Sequence, residues 1–284
     1  MKAITYSLIT GIIILYSNFC ISQVTGKCID TLGSSVPFIN VGVKMTSLGT
    51  VTDENGIFHL TGDLLNDIDS LVISHIGYVP QTICSNRKDT IVVVLQPSEY
   101  QLREVNISAS ESIYKNEKII GTKVSNDHVV LSFLSNHLGS EIGKLIKVKK
   151  ERKYKIEKVF FTISELNYKK ATFRINFYNV KDENNIEKQR VNFNDIIKDV
   201  YKSGLVEIDV ENENLEFEND FLVTIEWIEF IDNDFIVPEK EKNIFFNSTV
   251  FSGPPYFRSN NLIKWSNRKS KYNIGIGIHL SVKY

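Results

Sequence analysis

The feature that most constrains the fold of this chain is a succession of short runs in which apolar and polar residues alternate. In residues 38–45, the side chains of Ile39, Val41, Val43 and Met45 fall on one face of an extended chain, because successive side chains of a β-strand point to opposite sides. Similar runs, separated by Gly, Asp and Asn, occupy residues 24–29, 49–51, 57–60, 70–74, 80–84 and 90–95. Short strands at this spacing predict an all-β sandwich over residues 23–97.

The stretch Asp53-Glu-Asn55-Gly56 lies between two of these runs. Asn-Gly is a strong hairpin signal, because both residues tolerate a positive φ. A calcium-binding EF-hand loop would need an oxygen ligand at position 57 and a glutamate at position 64, where the sequence has Ile57 and Leu64. We therefore interpret Asp53, Asn55 and Gly56 as a structural turn and predict no metal site there.

Residues 1–22 have the features of a secretory signal peptide. Lys2 provides the positive start, and Cys20-Ile21-Ser22 places small residues before a cleavage site at Gln23. The apolar stretch between them, about 13 residues, is shorter than the roughly 20 that a membrane-spanning helix needs. The sequence thus predicts an exported mature chain without a spanning helix.

Two cysteines, Cys28 and Cys84, remain after this cleavage. In an oxidising compartment they could form a disulfide. We prefer the other interpretation, in which both are small buried apolar residues. Neither has a second ligand at the spacing of a zinc site.

Residues 98–124 are more polar, lack a clear period and are predicted to be a linker. The region that follows, residues 125–284, is again rich in β patterns. In residues 171–178 the apolar side chains fall on one face of the predicted strand, and Arg174 and Asn176 on the other. We predict a jelly-roll-like β-sandwich for this second region.

The C-terminal residues 274–284 allow another interpretation. They alternate regularly and end on Tyr284, as the last strand of an outer-membrane barrel does, and about 160 residues could form eight strands. However, Ile228 and Phe230 share a face with Glu226, a mixture that suits a sandwich core better than a lipid-facing band. The sandwich is preferred, and a small outer-membrane barrel remains the alternative.

Several motifs follow one another in a fixed order in the first region. They are Gly26-x-x-x-Asp30, Val36-Pro37-Phe38-x-Asn40-Val41-x-Val43, Gly49-Thr50-x-Thr52-Asp53-x-x-Gly56-x-Phe58 and Leu71-x-x-Ser74-x-Ile76-Gly77-Tyr78. This order resembles the carboxypeptidase regulatory-like domain family. The resemblance implies a transthyretin-like, seven-stranded Greek-key sandwich that serves as an accessory, beside a peptidase domain or ahead of the plug of a TonB-dependent receptor. It implies no peptidase activity. The second region is similar to an uncharacterised β domain that follows such domains in some exported bacterial proteins.

No catalytic constellation is recognisable. None of the five histidines has the glutamate three residues later that this type of zinc carboxypeptidase requires, and the Gly-x-Ser-x-Gly and phosphate-binding glycine motifs are absent. Carboxylate pairs cannot be chosen from 34 acidic residues, so a cryptic hydrolase stays an open alternative. The net charge of −1 provides no general attraction to nucleic acid. We predict a protein that is not an enzyme and needs no cofactor.

Candidate ligand contacts lie near the C-terminus. Tyr256 and Arg258 fall in the Gly/Pro/Asn-rich residues 253–261, predicted to be a loop, and Trp265 follows. Such side chains can stack on and hydrogen-bond to sugars or peptides, or they can cover the end of the core. Trp227 is predicted to be a core residue. Together these features predict an exported cell-envelope protein, in the periplasm or on the cell surface and peripheral to the outer membrane, that binds or scaffolds an envelope protein or glycan.

Overall fold

A computed structural model describes residues 23–61, 70–84, 90–98, 114, 116–124, 128–133, 138–149, 151–191, 194–233 and 242–284. The predicted signal peptide, residues 1–22, lies outside this part of the chain. Apart from one short 3-10 helix, Glu211–Glu213, every regular element in the described residues is a strand. The predicted all-β fold is therefore confirmed. No helix among the described residues is long and apolar enough to cross a membrane.

In the described part of residues 23–98, seven strands form the N-terminal domain, the number that the resemblance implied. They are β1 (Gln23–Ile29), β2 (Asn40–Val43), β3 (Gly49–Val51), β4 (Ile57–Thr61), β5 (Leu71–His75), β6 (Tyr78–Ile83) and β7 (Ile91–Val94). One sheet has the order β4-β1-β7 and the other the order β3-β2-β5-β6. A single apolar cluster, which includes Ile39, Val41, Phe58 and Ile73, fills the space between them.

The Asp53–Gly56 segment is a turn that is closed by a backbone hydrogen bond, from Gly56 N–H to the carbonyl oxygen of Asp53 (3.0 Å), and by the Asp53 side chain. The Asp53 carboxylate accepts hydrogen bonds from the backbone N–H groups of Asn55 (2.9 Å) and Ile57 (2.8 Å). Only Gly56 has a positive φ, +73°, which glycine adopts without steric cost. Because β3 pairs with β2 whereas β4 pairs with β1, the turn carries the chain between sheets. The predicted hairpin between paired strands is wrong, and the predicted structural turn is right.

Two details of the N-terminal domain differ from the sequence prediction. Met45 does not share the buried face of β2, because the strand ends at Val43 and Met45 follows it with φ +65° and 92% exposure. Cys28 and Cys84 are free thiols. The buried position preferred for both is right for Cys28 and wrong for Cys84, which is exposed, and the alternative disulfide is not formed. Burial raises the pKa of the Cys28 thiol to about 12, which keeps it protonated and unreactive.

The C-terminal domain contains fifteen strands in the residues that the structure describes. They are β8 (Glu117–Gly121), β9 (Val130–Ser132), β10 (Glu141–Ile146), β11 (Tyr154–Leu166), β12 (Lys170–Asp182), β13 (Asn185–Ile186), β14 (Ile196–Val200), β15 (Gly204–Asp209), β16 (Glu216–Phe217), β17 (Phe221–Ile231), β18 (Ile244–Thr249), β19 (Tyr256–Arg258), β20 (Ser266–Asn267), β21 (Gly275–Ile276) and β22 (Ile278–Lys283). One sheet runs β13-β12-β17-β10-β19-β20, with β14 beside β12. The other runs β21-β18-β11-β22-β8, with β9, β15 and β16 attached.

The two sheets enclose one large apolar core that includes Phe161, Phe173, Trp227 and Phe246. The predicted core position of Trp227 is therefore confirmed. Strand β22, whose alternation had suggested a membrane barrel, pairs with β11 and β8 inside one sheet and contributes to this core. In the described residues the two sheets have different edge strands, which is the arrangement of a sandwich.

The second domain begins earlier than the sequence predicted. Strand β8 lies within the predicted linker 98–124, yet it pairs along its length with β22, from Glu117 opposite Lys283 to Gly121 opposite His279. The segment predicted as a loop, residues 253–261, also contains a strand, β19, which pairs with β10 and β20.

Candidate functional site

A row of four charged residues crosses four neighbouring strands of the C-terminal domain. Arg174 on β12 lies opposite Glu226 on β17, Glu226 lies opposite Glu141 on β10, and Glu141 lies opposite Arg258 on β19. Residues directly opposite one another share a face of the sheet. The register therefore places two carboxylates in the centre of the row and one guanidinium at each end.

Each guanidinium binds the carboxylate beside it. Arg174 donates from Nε to Glu226 Oε2 (2.8 Å) and from Nη2 to Glu226 Oε1 (2.9 Å), the paired geometry that makes arginine–carboxylate contacts strong. Arg258 donates from Nε to Glu141 Oε1 at 2.7 Å. All four residues are at most 5% exposed. Such burial is tolerated only when charges are paired and hydrogen-bonded.

Neutral donors complete the coordination of the two carboxylates. Thr224 Oγ1 donates to Glu141 Oε2 at 2.6 Å, and Asn176 Nδ2 donates to Glu226 Oε2 at 2.7 Å and to Glu141 Oε2 at 3.4 Å. The Tyr178 hydroxyl lies 3.2 Å from Glu141 Oε2 and accepts from Arg258 Nη2. One hydrogen-bonded network thus joins both ion pairs.

The N-terminal domain covers this network. Arg174 Nη1 donates to the carbonyl oxygen of Phe38 at 2.8 Å, and Phe38 has a φ of +57°. The side chain of Asn40 also faces the row. With its amide oriented to suit both neighbours, the nitrogen lies 2.9 Å from Glu226 Oε1 and the oxygen 3.0 Å from Arg174 Nη2. Both residues belong to the motif through which the first domain was recognised, so this part of the motif contacts the second domain.

A hydrogen bond between side chains also crosses the domain boundary nearby. His75 Nε2 of β5 lies 3.2 Å from Asp195 Oδ2, and Asp195 Oδ1 lies 2.5 Å from Arg190 Nη2 and 3.4 Å from Arg174 Nη1. The carboxylate of Asp195 therefore connects the N-terminal domain to two arginines of the C-terminal domain. Further along the boundary, Asn260 Nδ2 donates to the carbonyl oxygen of Leu48 at 3.0 Å.

An open cleft of about 530 Å³ lies between the domains beside this network. His75, Tyr78 and Asn40 line it from the N-terminal side, and Lys188, Arg190 and Asn261 are among the residues that line it from the other. Clefts of this size at domain boundaries are common ligand sites.

The environment moves the pKa values of the two central glutamates in opposite directions. Burial raises the pKa of Glu141, and this effect exceeds the opposing attraction of Arg258. Burial also acts to raise the pKa of Glu226, but the charge of Arg174 and the hydrogen bonds from Arg174 and Asn176 outweigh it and leave the pKa lowered. Glu226 is thus the more strongly stabilised anion of the two.

The pKa values of His75 and Asp195, which meet at the domain boundary, are shifted as well. Burial lowers the pKa of His75, and the hydrogen bond to Asp195 only partly offsets this. Burial acts to raise the pKa of Asp195, but the hydrogen bond with His75 and the charges of Arg174 and Arg190 hold it well below its usual range.

We expect the stability of the protein to fall on acidification in two stages. A lowered folded-state pKa means that the unfolded chain binds more protons, so stability is lost as the pH falls. The loss begins below the unfolded histidine pKa of about 6.5, where His75 and His279, both with lowered pKa values, contribute. Asp195 and Glu226 continue it below about pH 4. Glu141, whose pKa is raised, acts in the opposite sense and offsets part of it. Urea unfolding between pH 7 and pH 3 measures the profile.

The variant His75→Gln is the matched control for this profile. It should lose the part of the decline below about pH 6.5 that His75 contributes, while the part due to His279, whose pKa burial also lowers, and the steeper decline below about pH 4 should remain. A wild-type profile that is flat from pH 7 to pH 4, or an unchanged profile in the variant, would contradict the assignment.

The structure brings only part of the predicted ligand-contact set to this site. Arg258 is a member of the charged row, with its guanidinium carbon 4.4 Å from the ring centre of Trp265 and 4.9 Å from that of Tyr178. Tyr256 is buried beside Tyr178 and Leu222, and Trp265 packs against this cluster. Tyr256 and Trp265 therefore pack against Tyr178 and Arg258 and stay outside the cleft, whose lining includes neither of them.

Most of the site could not be predicted from the sequence. No motif indicates a cluster of ionisable groups, yet Glu141, Glu226, Arg174, Asp195 and His75 lie together. The only signal was the polar face of residues 171–178, to which the sequence pattern assigned no role. Both faces of that strand are buried from Lys170 to Tyr178, because the N-terminal domain covers the polar one.

Comparison with known proteins supports the identity of the first domain. Residues 24–107 match the family model described as CarboxypepD_reg-like domain. The N-terminal part of the chain is thus a carboxypeptidase regulatory-like domain, as its motifs predicted, and the match ends before β8 begins.

A curated relative contains a similar sequence. Over 119 residues, 41% of this chain, the sequence is 34% identical to the TonB-dependent receptor SusC of Bacteroides thetaiotaomicron. The aligned part is 11% of the length of that receptor.

Two solved structures align with larger parts of the chain at low similarity. The cysteine protease and lectin-like domains of Cwp84, a surface layer associated protein of Clostridium difficile, align at 11% identity with a TM-score of 0.37, over 56% of this chain and 37% of that one. The D312A variant of BcpA, the major pilin subunit of Bacillus cereus, aligns at 11% identity with a TM-score of 0.20, over 90% of this chain and 69% of that one.

Proposed function

We propose that this protein is an exported, non-catalytic protein of the bacterial cell envelope, associated with the outer membrane, whose two domains form one binding unit. The regulatory-like domain and the similarity to a TonB-dependent receptor support the location. The interdomain cleft supports the binding role. In this proposal the charged row, which contacts both domains, holds the two walls of the cleft in one relative position.

The observation that carries the proposal is the surplus of positive charge around the cleft. Its charged walls comprise Arg174, Lys188, Arg190, Arg258 and Glu226. Arg174 and Arg258 are bound by the glutamates of the row, and Arg190 by Asp195. Lys188 is exposed and has no acidic partner among the described residues. The cleft thus fits a partner that brings a carboxylate.

Among envelope partners we favour an acidic protein segment over a glycan. Sugar binding commonly uses an exposed aromatic face, but Tyr178 is fully buried and Tyr78 lies tilted against His75 with ring centres 5.8 Å apart. Guanidinium and ammonium groups, by contrast, suit carboxylate side chains.

Binding of envelope proteins to immobilised mature protein tests this proposal. We expect an acidic partner that elutes with salt and whose retention falls at least tenfold in Lys188→Glu. Lys181→Glu, an exposed change on the same domain that does not line the cleft, is the matched control. Equal retention by both variants would place binding elsewhere, and retention of a neutral polysaccharide alone would favour the glycan.

A hydrolase is the second candidate, and one observation favours it. Glu141 and Glu226 share the donor Asn176 and have pKa values moved in opposite directions, as the acid and base of many hydrolases do. Against it, arginines and neutral donors already occupy both carboxylates. Hydrolysis of peptide or polysaccharide substrates that disappears in Glu141→Gln, with folding retained, would establish this function.

A further inference from the structure

A second cavity, of about 390 Å³, lies within the C-terminal domain and away from the charged row. The polar side chains that line it belong to Thr122, Lys144, Lys147, Glu183, Ser252 and Tyr256. None of the motifs found in the sequence includes these lysines.

Lys144 is held in this cavity without a counter-ion. It lies on β10 between Ile142 and Ile146, which belong to the apolar core, and it is 6% exposed. Its Nζ donates to the backbone carbonyl oxygen of Ser252 at 2.7 Å. Within the described part of the chain, no carboxylate lies within ion-pair distance of this nitrogen.

Lys147 lines the same cavity and is the natural comparison. Its Nζ lies 3.1 Å from Glu183 Oε1, and its side chain is 69% exposed. The hydrogen bond and charge of Glu183 raise the pKa of Lys147. The other titratable group facing the cavity, Tyr256, has a pKa raised by burial and donates to the carbonyl oxygen of Glu183 at 3.2 Å.

The surroundings of Lys144 favour its neutral, nucleophilic form. An ammonium taken out of water without an anion is costly, so burial shifts the equilibrium towards the free amine. Burial lowers the pKa of Lys144 to about 8. At pH 7.5 about a quarter of such amines are neutral, against roughly 0.1% for an ordinary lysine of pKa about 10.4.

We propose that Lys144 is a reactive amine that captures small aldehydes as imines inside this cavity. The Nζ lone pair attacks the carbonyl carbon, a C–N bond forms, and the resulting carbinolamine loses its hydroxyl and the remaining Nζ proton as water. The protein thereby gains a covalent site for small carbonyl compounds, distinct from the interdomain cleft. The reaction needs no oxidant or reductant, and it reverses by hydrolysis.

Reductive trapping tests the proposal in the intact mature protein. The probe is propanal with cyanoborohydride, which supplies hydride to any imine and makes the attachment permanent, and peptide mass spectrometry measures each lysine. At pH 7.5 we expect Lys144 to be modified at least tenfold faster than Lys147, with a rate that levels off above about pH 8. Because both lysines are compared in one protein, this result does not depend on a variant that folds.

Lys144→Arg and Lys144→Met provide the controls. The first keeps the charge and the second keeps most of the stem, and neither has a nucleophilic amine. In either variant that retains the wild-type unfolding temperature, the fast phase of labelling should be absent. Labelling of the wild type that follows exposure, with Lys147 modified as fast as Lys144 or faster, would overturn the proposal.

Discussion

Replacing Glu226 with alanine is expected to lower the free energy of unfolding by about 3–5 kcal/mol, because it leaves Arg174 charged and buried without its main partner. Arg174 and Glu226 are 1% and 2% exposed, so water cannot replace the lost carboxylate without opening the domain boundary. Urea unfolding at pH 7, followed by tryptophan fluorescence and circular dichroism, measures the change.

Two variants separate the charge effect from a general sensitivity to mutation. Glu207→Ala removes the exposed carboxylate 2.6 Å from Lys158, and it should leave the unfolding midpoint unchanged, since exposed ion pairs contribute little. The double change Arg174→Met with Glu226→Leu removes both buried charges, so it should be far less destabilising than Glu226→Ala alone. A Glu226→Ala protein as stable as Glu207→Ala would show that the row is not buried in solution.

Replacing Trp227 with alanine is the other change with a large expected effect, again about 3–5 kcal/mol. The indole is 2% exposed and packs on Phe133, Tyr168 and Phe230 with ring centres 5.2–5.8 Å away. Its Nε1 donates to the carbonyl oxygen of Glu229 at 3.0 Å, so the change leaves a cavity and an unpaired acceptor.

Phe251→Ala is the matched control for the loss of an aromatic ring. Phe251 is 78% exposed, and its removal should change the unfolding free energy by less than about 0.5 kcal/mol. Similar small losses for Trp227→Ala and Phe251→Ala would contradict the position of Trp227 in the core.

The sequence was most informative where local chemistry decides the structure. Alternation and turn residues predicted the strands of the first domain, since a strand with one buried face must alternate. The Asp53 turn was predictable because its carboxylate binds backbone only two and four residues ahead. The order of the motifs then predicted the family.

The sequence was least informative where distant segments meet. Nothing within residues 171–178 indicates that Phe38, more than 130 positions earlier, lies over Arg174. A strand that is polar on one face and apolar on the other looks the same whether water or a second domain covers the polar face.

The strand β19 was missed for a related reason. Its Gly- and Pro-rich surroundings predict a loop, and pairing with β10 overrides that preference.

The arrangement of the charged row suggests why buried charges occur here at all. Their net contribution to stability is small, since desolvation offsets most of the attraction. A shift of one residue in any of the four strands would leave a guanidinium or a carboxylate unpaired in the interior. The row thus selects one register of the sheet and one docking position of the N-terminal domain.

Coupling between the two domains is the most direct test of this account. His75 and Asp195 belong to different domains and lie 3.2 Å apart, so a double-mutant cycle on His75→Ala and Asp195→Ala at pH 7 measures whether the domains dock as described. We predict a coupling energy of about 1 kcal/mol or more, within the range for residues in contact. Effects on unfolding that add to within about 0.3 kcal/mol would show that the two domains do not meet at this surface, and the docked arrangement would be wrong.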